Sequence, residues 1–294
     1  MAGFGKRFLS DKLAVAVGIF LLAVLLAGVL APVIAPWDPS VQSIADKFQG
    51  PSLSHPLGTD QLGRDVLSRL IYGARTTMGV SLLTMAATIF IGTVLGFIAG
   101  YFRGWVDEVI MRICDVMLSF PDEVLILAIV GILGVGIEHI VVATVIAKWA
   151  WYTRMIRTVV RGFMDKNYIR FARVAGLSPV KIITGHLLKN AVGEILVLAT
   201  LDTGAIILNI SALSFLGLGV QPPTAEWGMM LNDAKAVITT HPGQMLAPGI
   251  AIFLVVAAFN FLGDSIQEAM NPRLDKGIPK KRLSLFARKR RAVA

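Results

Sequence analysis

The chain has 294 residues, 55% of them hydrophobic and 16% charged, and a mean hydropathy of +0.70. This composition is typical of integral membrane proteins and excludes a soluble globular domain. The net charge of +9 does not indicate a nucleic-acid partner, because the basic residues lie beside apolar stretches, where membrane topology accounts for them. The single cysteine, Cys114, excludes internal disulfides and clusters of metal-binding thiolates.

The chain carries none of the short motifs that mark nucleotide, zinc or serine-nucleophile chemistry. It lacks a Walker A pattern, His-Glu-x-x-His and Gly-x-Ser-x-Gly. The histidines lie singly, without the spacing of metal ligands, and are expected to have packing roles. We therefore predict no catalytic residue, no metal ligand and no cofactor bound by this chain.

The first apolar run follows a short basic N-terminus, residues 1–12. Residues 13–37 carry no charge. The apolar core of a signal peptide has ~7–15 residues, whereas this run is long enough to cross ~30 Å of hydrocarbon. We predict that it is the retained first helix of an all-α transmembrane domain over residues 13–270, ended by Pro36 and Pro39.

Residues 36–75 are predicted to form a first external loop, because they are polar and rich in turn residues. Four charged side chains, Asp60, Arg64, Asp65 and Arg69, lie close together in it. They are consistent with two interpretations, a structured loop at the membrane surface or a salt-bridged lid.

Three further membrane helices are predicted over about residues 76–101, 106–134 and 140–156. In the first of these, Gly92, Gly96 and Gly100 give one face of nearly bare backbone that can approach another helix closely. The next is interrupted at residues 119–121 by a proline, which predicts a kink. Lys148, in the third, either snorkels to the membrane surface or faces a polar interior.

The central polar stretch, residues 157–189, predicts a short helix, a sharp corner and a second helix. Four residues recur at i, i+3, i+4 and i+7 on one helix face: Tyr168, Phe171, Ala172 and Ala175. Gly176 can adopt the positive φ of a helix end, and Ser178 followed by Pro179 begins the next helix. Because an isolated helix ~15 Å long is marginal in water, we expect it to rest on the membrane surface or on another protein.

A fifth predicted span covers about residues 191–216 and carries Asp202. A charge at membrane depth costs at least ~2.5–3.5 kcal/mol, so we expect Asp202 to face protein or water. An intramembrane enzyme using Asp202 with Glu194 or Lys148 is a weaker alternative, because the two acids lie ~12 Å apart along a helix, too far for a carboxylate dyad. A purely structural or receptor subunit is another alternative.

A second external loop, a sixth span and a basic tail complete the chain, over residues 217–244, about 245–262 and 271–294. The distribution of basic residues orients this six-helix arrangement. With the N-terminus inside, 22 of the 28 Lys and Arg residues lie in cytoplasmic segments. The positive-inside rule therefore places both termini and the central stretch in the cytoplasm.

Several motifs resemble those of one transporter family. The first external loop contains His55-Pro56-Leu57-Gly58-Thr59-Asp60-Gln61-Leu62-Gly63-Arg64-Asp65-Val66. The start of the second contains Ser214-Phe215-Leu216-Gly217-Leu218-Gly219-Val220-Gln221-Pro222-Pro223-Thr224, and the sixth span ends with Gly263-Asp264 ahead of Asn271-Pro272-Arg273. Together they cover almost the whole chain and resemble the dipeptide/oligopeptide/nickel permeases of ATP-binding-cassette (ABC) importers. The resemblance implies a type I importer permease fold in the bacterial cytoplasmic (inner) membrane.

The resemblance also implies partners: a homologous second permease, two cytoplasmic ATPase subunits that use ATP, an extracytoplasmic substrate-binding protein and membrane lipid. In this family the central stretch is the coupling segment, which docks into a cleft of the ATPase. Ala172 and Gly176 match the family pattern, whereas Arg170 stands where glutamate is usual. The residues that the resemblance places at the ATPase are Tyr168, Phe171, Ala172, Gly176, Leu177 and Ser178.

Three motifs resemble the smaller of the two nickel permeases: Trp149-Ala150-Trp151-Tyr152, Leu198-Ala199-Thr200-Leu201-Asp202 and Ala225-Glu226-Trp227-Gly228. They imply import of nickel or a nickel chelate, with dipeptide or oligopeptide import as the alternative. Because the fifth span lines the translocation route in this family, the candidate path residues are Asp202, Asn209 and Trp149. Asp202 itself is consistent with two roles, a structural contact between helices, for example with Lys148, or a negative field for a cationic complex.

Overall fold

The computed structural model describes residues 4–270, which are mostly helical and include no β-strand. The N-terminal third contains α1 Phe4–Ser10, α2 Lys12–Val29, α3 Ala31–Ile34 and α4 Val66–Phe102. The middle contains α5 Gly104–Met117, α6 Asp122–Leu133, α7 Ile137–Met164, α8 Asn167–Val174 and α9 Pro179–Ile182. The last third contains α10 Leu188–Phe215, α11 Trp227–Lys235 and α12 Leu246–Met270. The predicted tail, residues 271–294, lies outside the described residues.

Four helical segments of the described chain are long and apolar enough to cross a membrane. They are Lys12–Val29, Val66–Phe102, Pro179–Phe215 and Pro242–Met270. A fifth arises if α5 and α6, bent by 80° at the predicted break, count as one span. Helix α7, which contains the predicted fourth span, is long enough but carries Lys148 and three arginines. Length and composition thus support four or five spans in this part of the chain and do not by themselves confirm six.

Helix α4 begins at Val66, so the prediction of a loop reaching residue 75 was wrong. Asp65 caps the helix by accepting a hydrogen bond from the backbone N–H of Ser68 at 2.7 Å. The charge of Arg69 suggested a loop at this point. Its side chain is instead only 2% exposed, because it is paired inside the fold. The predicted coupling segment also begins within a helix, since α7 continues to Met164.

The charged residues of the first loop form a buried ion network with α11. Arg64 donates from Nε to Asp60 and from Nη2 to Asp233, each at 2.7 Å. Arg69 donates to the same Asp233 oxygen at 2.9 Å. Three of the four charged residues singled out in this loop are thus salt-bridged, whereas the fourth, Asp65, caps α4 and contacts His55. The network also includes Asp233, which lies 169 residues from Arg64 in sequence and which sequence analysis did not connect with it.

Helix α11 packs at the end of the bundle where α4 begins, within the segment predicted as the second external loop. Glu226, fully buried, caps it by accepting from the backbone N–H of Met229 at 2.8 Å and from the Thr77 hydroxyl at 2.9 Å. The Trp227 indole N–H donates to the Leu70 carbonyl at 2.9 Å. These contacts fix α11 against α4.

The glycines of α4 contact α7, as their spacing predicts. A Cβ atom added at Gly92, Gly96 or Gly100 would lie 2.5–2.9 Å from side-chain atoms of Tyr152, Ile156 and Val160. Separations below 3.0 Å do not occur between real Cβ atoms and their neighbours, so the two backbones approach as closely as glycine allows. Small residues enable the helices to gain van der Waals contact, which is needed because lipid supplies no hydrophobic drive for helix association.

A valine at Gly96 is therefore expected to destabilise the protein. It would displace Ile156 and the Thr153 carbonyl, and overpacking of this kind costs ~1–3 kcal/mol. The matched control is Gly79→Val in the same helix, where no atom lies within 4 Å of an added Cβ. Thermal denaturation of the detergent-purified permease should give a lower Tm for Gly96→Val than for the control. Equal Tm values would contradict the packing argument.

Candidate substrate path and coupling surface

Asp202 lies on α10 and contacts α7 through Tyr152. The buried Tyr152 hydroxyl donates to an Asp202 carboxylate oxygen and lies 3.7 Å from the Met85 sulfur. A hydrogen bond from a hydroxyl to a carboxylate is charge-assisted, so it offsets part of the cost of holding this acid in the membrane domain. Lys148, named above as a partner for Asp202, pairs with a different acid.

Lys148 points toward α6. Its ammonium group lies 3.3 Å from Asp122 Oδ2, and the Lys148 side chain is 15% exposed. The structure therefore supports the polar-interior interpretation of this residue over snorkelling. Asp122 was missed by sequence analysis, although it begins a helix directly after Pro121, where an acid is favoured by the helix dipole.

These two pairs form one polar cluster, defined as Asp122, Lys148, Tyr152 and Asp202. Lys148 and Tyr152 lie four residues apart and therefore share a face of α7. That face meets both α6 and α10. With two carboxylates and one ammonium, the cluster has a formal net negative charge inside an apolar bundle.

The other two predicted path residues, Asn209 and Trp149, do not contact Asp202 through hydrogen bonds in the described part of the chain. Asn209 is partly buried on α10, seven residues after Asp202 and on nearly the same helix face. Trp149 is partly buried on α7, next to Lys148. The structure thus joins Asp202 to Tyr152 rather than to the other two predicted residues.

In the predicted coupling segment, helix α8 buries one side against its own chain and leaves the other side exposed. Ile169 and Ala172 of α8 are buried against the bundle. Of the predicted face, Ala172 packs against this chain, whereas Phe171 is 72% exposed and Tyr168 is 39% exposed. Helix α8 carries apolar side chains on two sides, and only the side with Ile169 and Ala172 faces this chain. Phe171, Val174 and Leu177 remain on the outer side.

The corner after α8 has the predicted form. Gly176 has φ +73°, a left-handed conformation that favours glycine. The Leu177 N–H donates to the Ala172 carbonyl at 3.1 Å, the bond of a glycine-ended helix. Ser178 then caps the next helix by accepting from the backbone N–H of Lys181 at 3.4 Å.

Acids of α5 neutralise the basic end of α7. Asp107 accepts from both Arg157 and Arg161. Asp115 accepts from Arg154. The arginines at the end of α7 are thus paired with aspartates of α5 that lie 39 to 54 residues earlier in the sequence.

The side chains of His55 and His241, in the two predicted external loops, have packing roles, as expected. His55 contacts Asp65 at 3.0 Å and stacks on Trp37, with the ring centroids 5.2 Å apart. His241 stacks on Phe48 at 3.8 Å. Within residues 4–270, no three His, Cys, Asp or Glu side chains are grouped so that they could hold a metal ion.

Comparison with known proteins agrees with this architecture. Residues 92–276 match the family described as binding-protein-dependent transport system inner membrane component. Residues 2–51 match the N-terminal transmembrane domain of oligopeptide transport permease C. A solved chain from the inward-facing MetNI methionine ABC transporter has the same fold, with a TM-score of 0.57 at 16% identity over 69% of this chain and 96% of that chain.

Full-length relatives are transport permeases. The metal-staphylopine import system permease protein CntC of Staphylococcus aureus (strain NCTC 8325 / PS 47) is 47% identical, with coverage of 92% of this chain and 93% of that protein. The nickel transport system permease protein NikC of Escherichia coli (strain K12) is 38% identical, with coverage of 91% and 97%. The dipeptide transport system permease protein DppC of Alkalihalophilus pseudofirmus is 38% identical, with coverage of 92% and 88%. The chain therefore belongs to the family of binding-protein-dependent transport system inner membrane components, the importer permeases that its loop motifs resemble.

Proposed function

We propose that this chain is one membrane subunit of an ABC importer that carries nickel or a metal chelate into the cell. It works with a homologous second permease, two ATPase subunits that hydrolyse ATP and an extracytoplasmic binding protein. The observation that carries the substrate assignment is the net negative polar cluster around Asp202 on α10. The metal-staphylopine and nickel permeases among the relatives support it. Peptide import is the second candidate, since a dipeptide permease is also 38% identical.

In this proposal Asp202 attracts a cationic metal complex and contacts it only transiently. Tyr152 holds the carboxylate in place through its hydroxyl. Carboxylate oxygen is a weaker nickel ligand than imidazole. Weak ligation suits a path that must release its substrate.

The uptake of radiolabelled nickel by the reconstituted importer tests this role. Asp202→Asn removes the charge with little change in shape, and we expect uptake to fall about tenfold, equivalent to ~1.4 kcal/mol. Assembly and basal ATP hydrolysis should persist. Tyr152→Phe, which removes only the hydroxyl, should also lower nickel uptake.

The matched control is Glu194→Gln, an exposed carboxylate on the same helical segment, which should transport at the wild-type rate. Failure of Asp202→Asn to assemble would assign the residue a structural role. Unchanged nickel uptake would remove it from the path. Uptake of a radiolabelled dipeptide in place of nickel by the wild-type importer would favour the second candidate.

We also propose six membrane spans with both termini in the cytoplasm of a bacterial cell, in its cytoplasmic (inner) membrane. Helix α7 is the additional span, because its basic side chains face acids of α5 and α6 rather than lipid. Lys148 pairs with Asp122, and Arg157 pairs with Asp107. A charge paired within the protein avoids most of the cost of exposure to hydrocarbon.

Cysteine labelling tests this orientation. Thr240 and Thr184 are both exposed but lie on opposite sides of the membrane in the proposed topology. A membrane-impermeant thiol reagent should label Thr240→Cys in intact spheroplasts, and it should label Thr184→Cys only after the membrane is opened. The reverse pattern would invert the topology.

The outer side of α8 is proposed as the ATPase contact. Phe171 and Val174 of α8, together with Leu177 just after the Gly176 corner, leave apolar surface exposed in a polar segment, and such a patch marks a protein interface. Gly176 ends this helix and sets its angle to α9 through its positive φ. Residues Tyr168, Ala172 and Ser178 support the same helix and corner.

Gly176→Val is expected to weaken ATPase binding and transport. A β-branched residue at φ +73° costs ~1–3 kcal/mol, so the corner would change conformation. The matched control is Gly185→Val, because an added Cβ meets no atom within 4 Å at either site and only Gly176 has a positive φ. Co-purification of the ATPase with each variant is the measurement. Equal recovery and equal uptake would show that this corner is not the coupling element.

A further inference from the structure

A single turn of π-helix joins the coupling segment to α10. It covers Ile183–Leu187, between the end of α9 and the start of α10. The backbone N–H of Leu188 donates to the carbonyl of Ile183, five residues earlier, whereas an α-helix bonds residues four apart. The π-turn therefore holds one residue more than an α-helical turn. Such turns are rare within α-helices and occur frequently at functional sites.

The additional residue determines how the turn packs. Ile182 and Leu187 are both fully buried, in the same hydrophobic cluster as Tyr152 and Ile156 of α7. In an α-helix a step of five residues advances by ~500°, so these two side chains would point ~140° apart. The wider turn enables both of them to enter one cluster. The helix is thus held against the core on each side of the π-turn.

Polar side chains in and beside the turn bond to backbone carbonyls. The Thr184 hydroxyl donates to the Val180 carbonyl at 2.8 Å, and the Asn190 amide donates to the His186 carbonyl at 2.6 Å. Side-chain bonds of this kind satisfy backbone groups where a helix changes its bonding or bends. They lower the cost of rearranging the turn, because a carbonyl released from the helix keeps a partner.

The π-turn lies on the covalent connection between the proposed ATPase contact and the polar cluster. Helix α8, with the exposed Phe171, precedes it. Asp202 follows in α10, ~22 Å along the helix from Leu187. A regular α-helix carries a displacement over this length without bending, whereas π-turns are among the places where helices kink. The position of the turn therefore decides where this connection bends.

We propose that the π-turn is the joint at which α9 moves relative to α10 during the transport cycle. The proposal rests on the ATPase contact proposed for α8, because that contact supplies the displacement. Movement of α8 changes the hydrogen bonding at residues 183–187 and thereby the angle between α9 and α10. The helix after residue 188 moves as one rigid element that carries Asp202.

Distances between nitroxide labels test the joint in a chain of natural length. In a Cys114→Ala background, labels at Lys181 and Glu194 occupy exposed positions on either side of the turn. The matched pair, Glu194 and Leu208, is also exposed and lies within α10. When ATP and vanadate bind to the assembled importer, the first distance should change by more than the ~1.5 Å rise of one helical residue, and the second should not. An unchanged first distance would overturn the proposal.

Deletion of Thr184 should convert the π-turn into an α-helical turn. Ile183 and Leu188 then lie four residues apart, so their hydrogen bond becomes that of an α-helix. Ile182 and Leu187 also become i, i+4 neighbours on one helix face, which preserves their packing. The variant should assemble and bind the ATPase but lose the change in label distance. Nickel uptake should fall at least about tenfold, because transport depends on the conformational step.

The matched control is Thr184→Ala, which keeps all five residues and should transport at the wild-type rate. Gly185→Val, the control for the corner, keeps the turn for the same reason. Wild-type uptake by the deletion variant would show that the π-turn is passive and would refute the joint. If the deletion variant does not assemble, the label distances in the chain of natural length decide.

Failure of the joint and failure of the ATPase contact give different results. An unchanged label distance, with the ATPase still lost from Gly176→Val, removes the joint and keeps the contact. Equal recovery of the ATPase with Gly176→Val removes the contact and with it the displacement that the joint requires. The label distances need no transported substrate, so they are also independent of the nickel assignment.

Discussion

The close contact between α4 and α7 at Gly92, Gly96 and Gly100 holds the centre of the bundle together and positions its polar side chains. Since lipid is as apolar as the side chains, association of these helices relies on packing at short range. The contact places Tyr152 beside Met85 of α4 and the carboxylate of α10. It thereby sets the position of the polar cluster in the middle of the bundle.

Charge pairing between helices accommodates the basic side chains of α7 within the bundle. Lys148 meets Asp122, and Arg157 meets Asp107, each on a neighbouring element. Removal of one partner from a buried pair costs several kcal/mol, because the other charge is left without compensation. The acids of α5 and α6 are therefore as necessary to the fold as the basic residues of α7. The Tyr152–Asp202 contact differs, since a neutral donor stabilises the carboxylate without cancelling its charge.

The two ends of the bundle differ in how completely they are packed. At one end, Arg64 and Arg69 meet Asp60 and Asp233, and α11 is anchored by the buried Glu226. At the other end, α8 buries one side against its own chain and leaves Phe171 and its neighbours uncovered. Ion pairs within the chain thus close one end of the bundle, while the other end leaves an apolar patch uncovered.

The features that depend on neighbouring residues can be predicted from the sequence: an apolar chain of helices, the glycine face of α4, the bend before α6, the glycine corner after α8 and the position of Asp202 in α10. Each follows from composition, helical spacing or a backbone conformation encoded within a few residues. Tertiary contacts fix the burial of Arg69, the side of α8 that faces this chain, and the pairing of Asp202 with Tyr152 and of Lys148 with Asp122. These outcomes depend on side chains 26 to 169 residues apart, which no local pattern connects. A charge in the sequence suggests exposure to water until a partner from a distant segment buries it, as Asp233 does for Arg69.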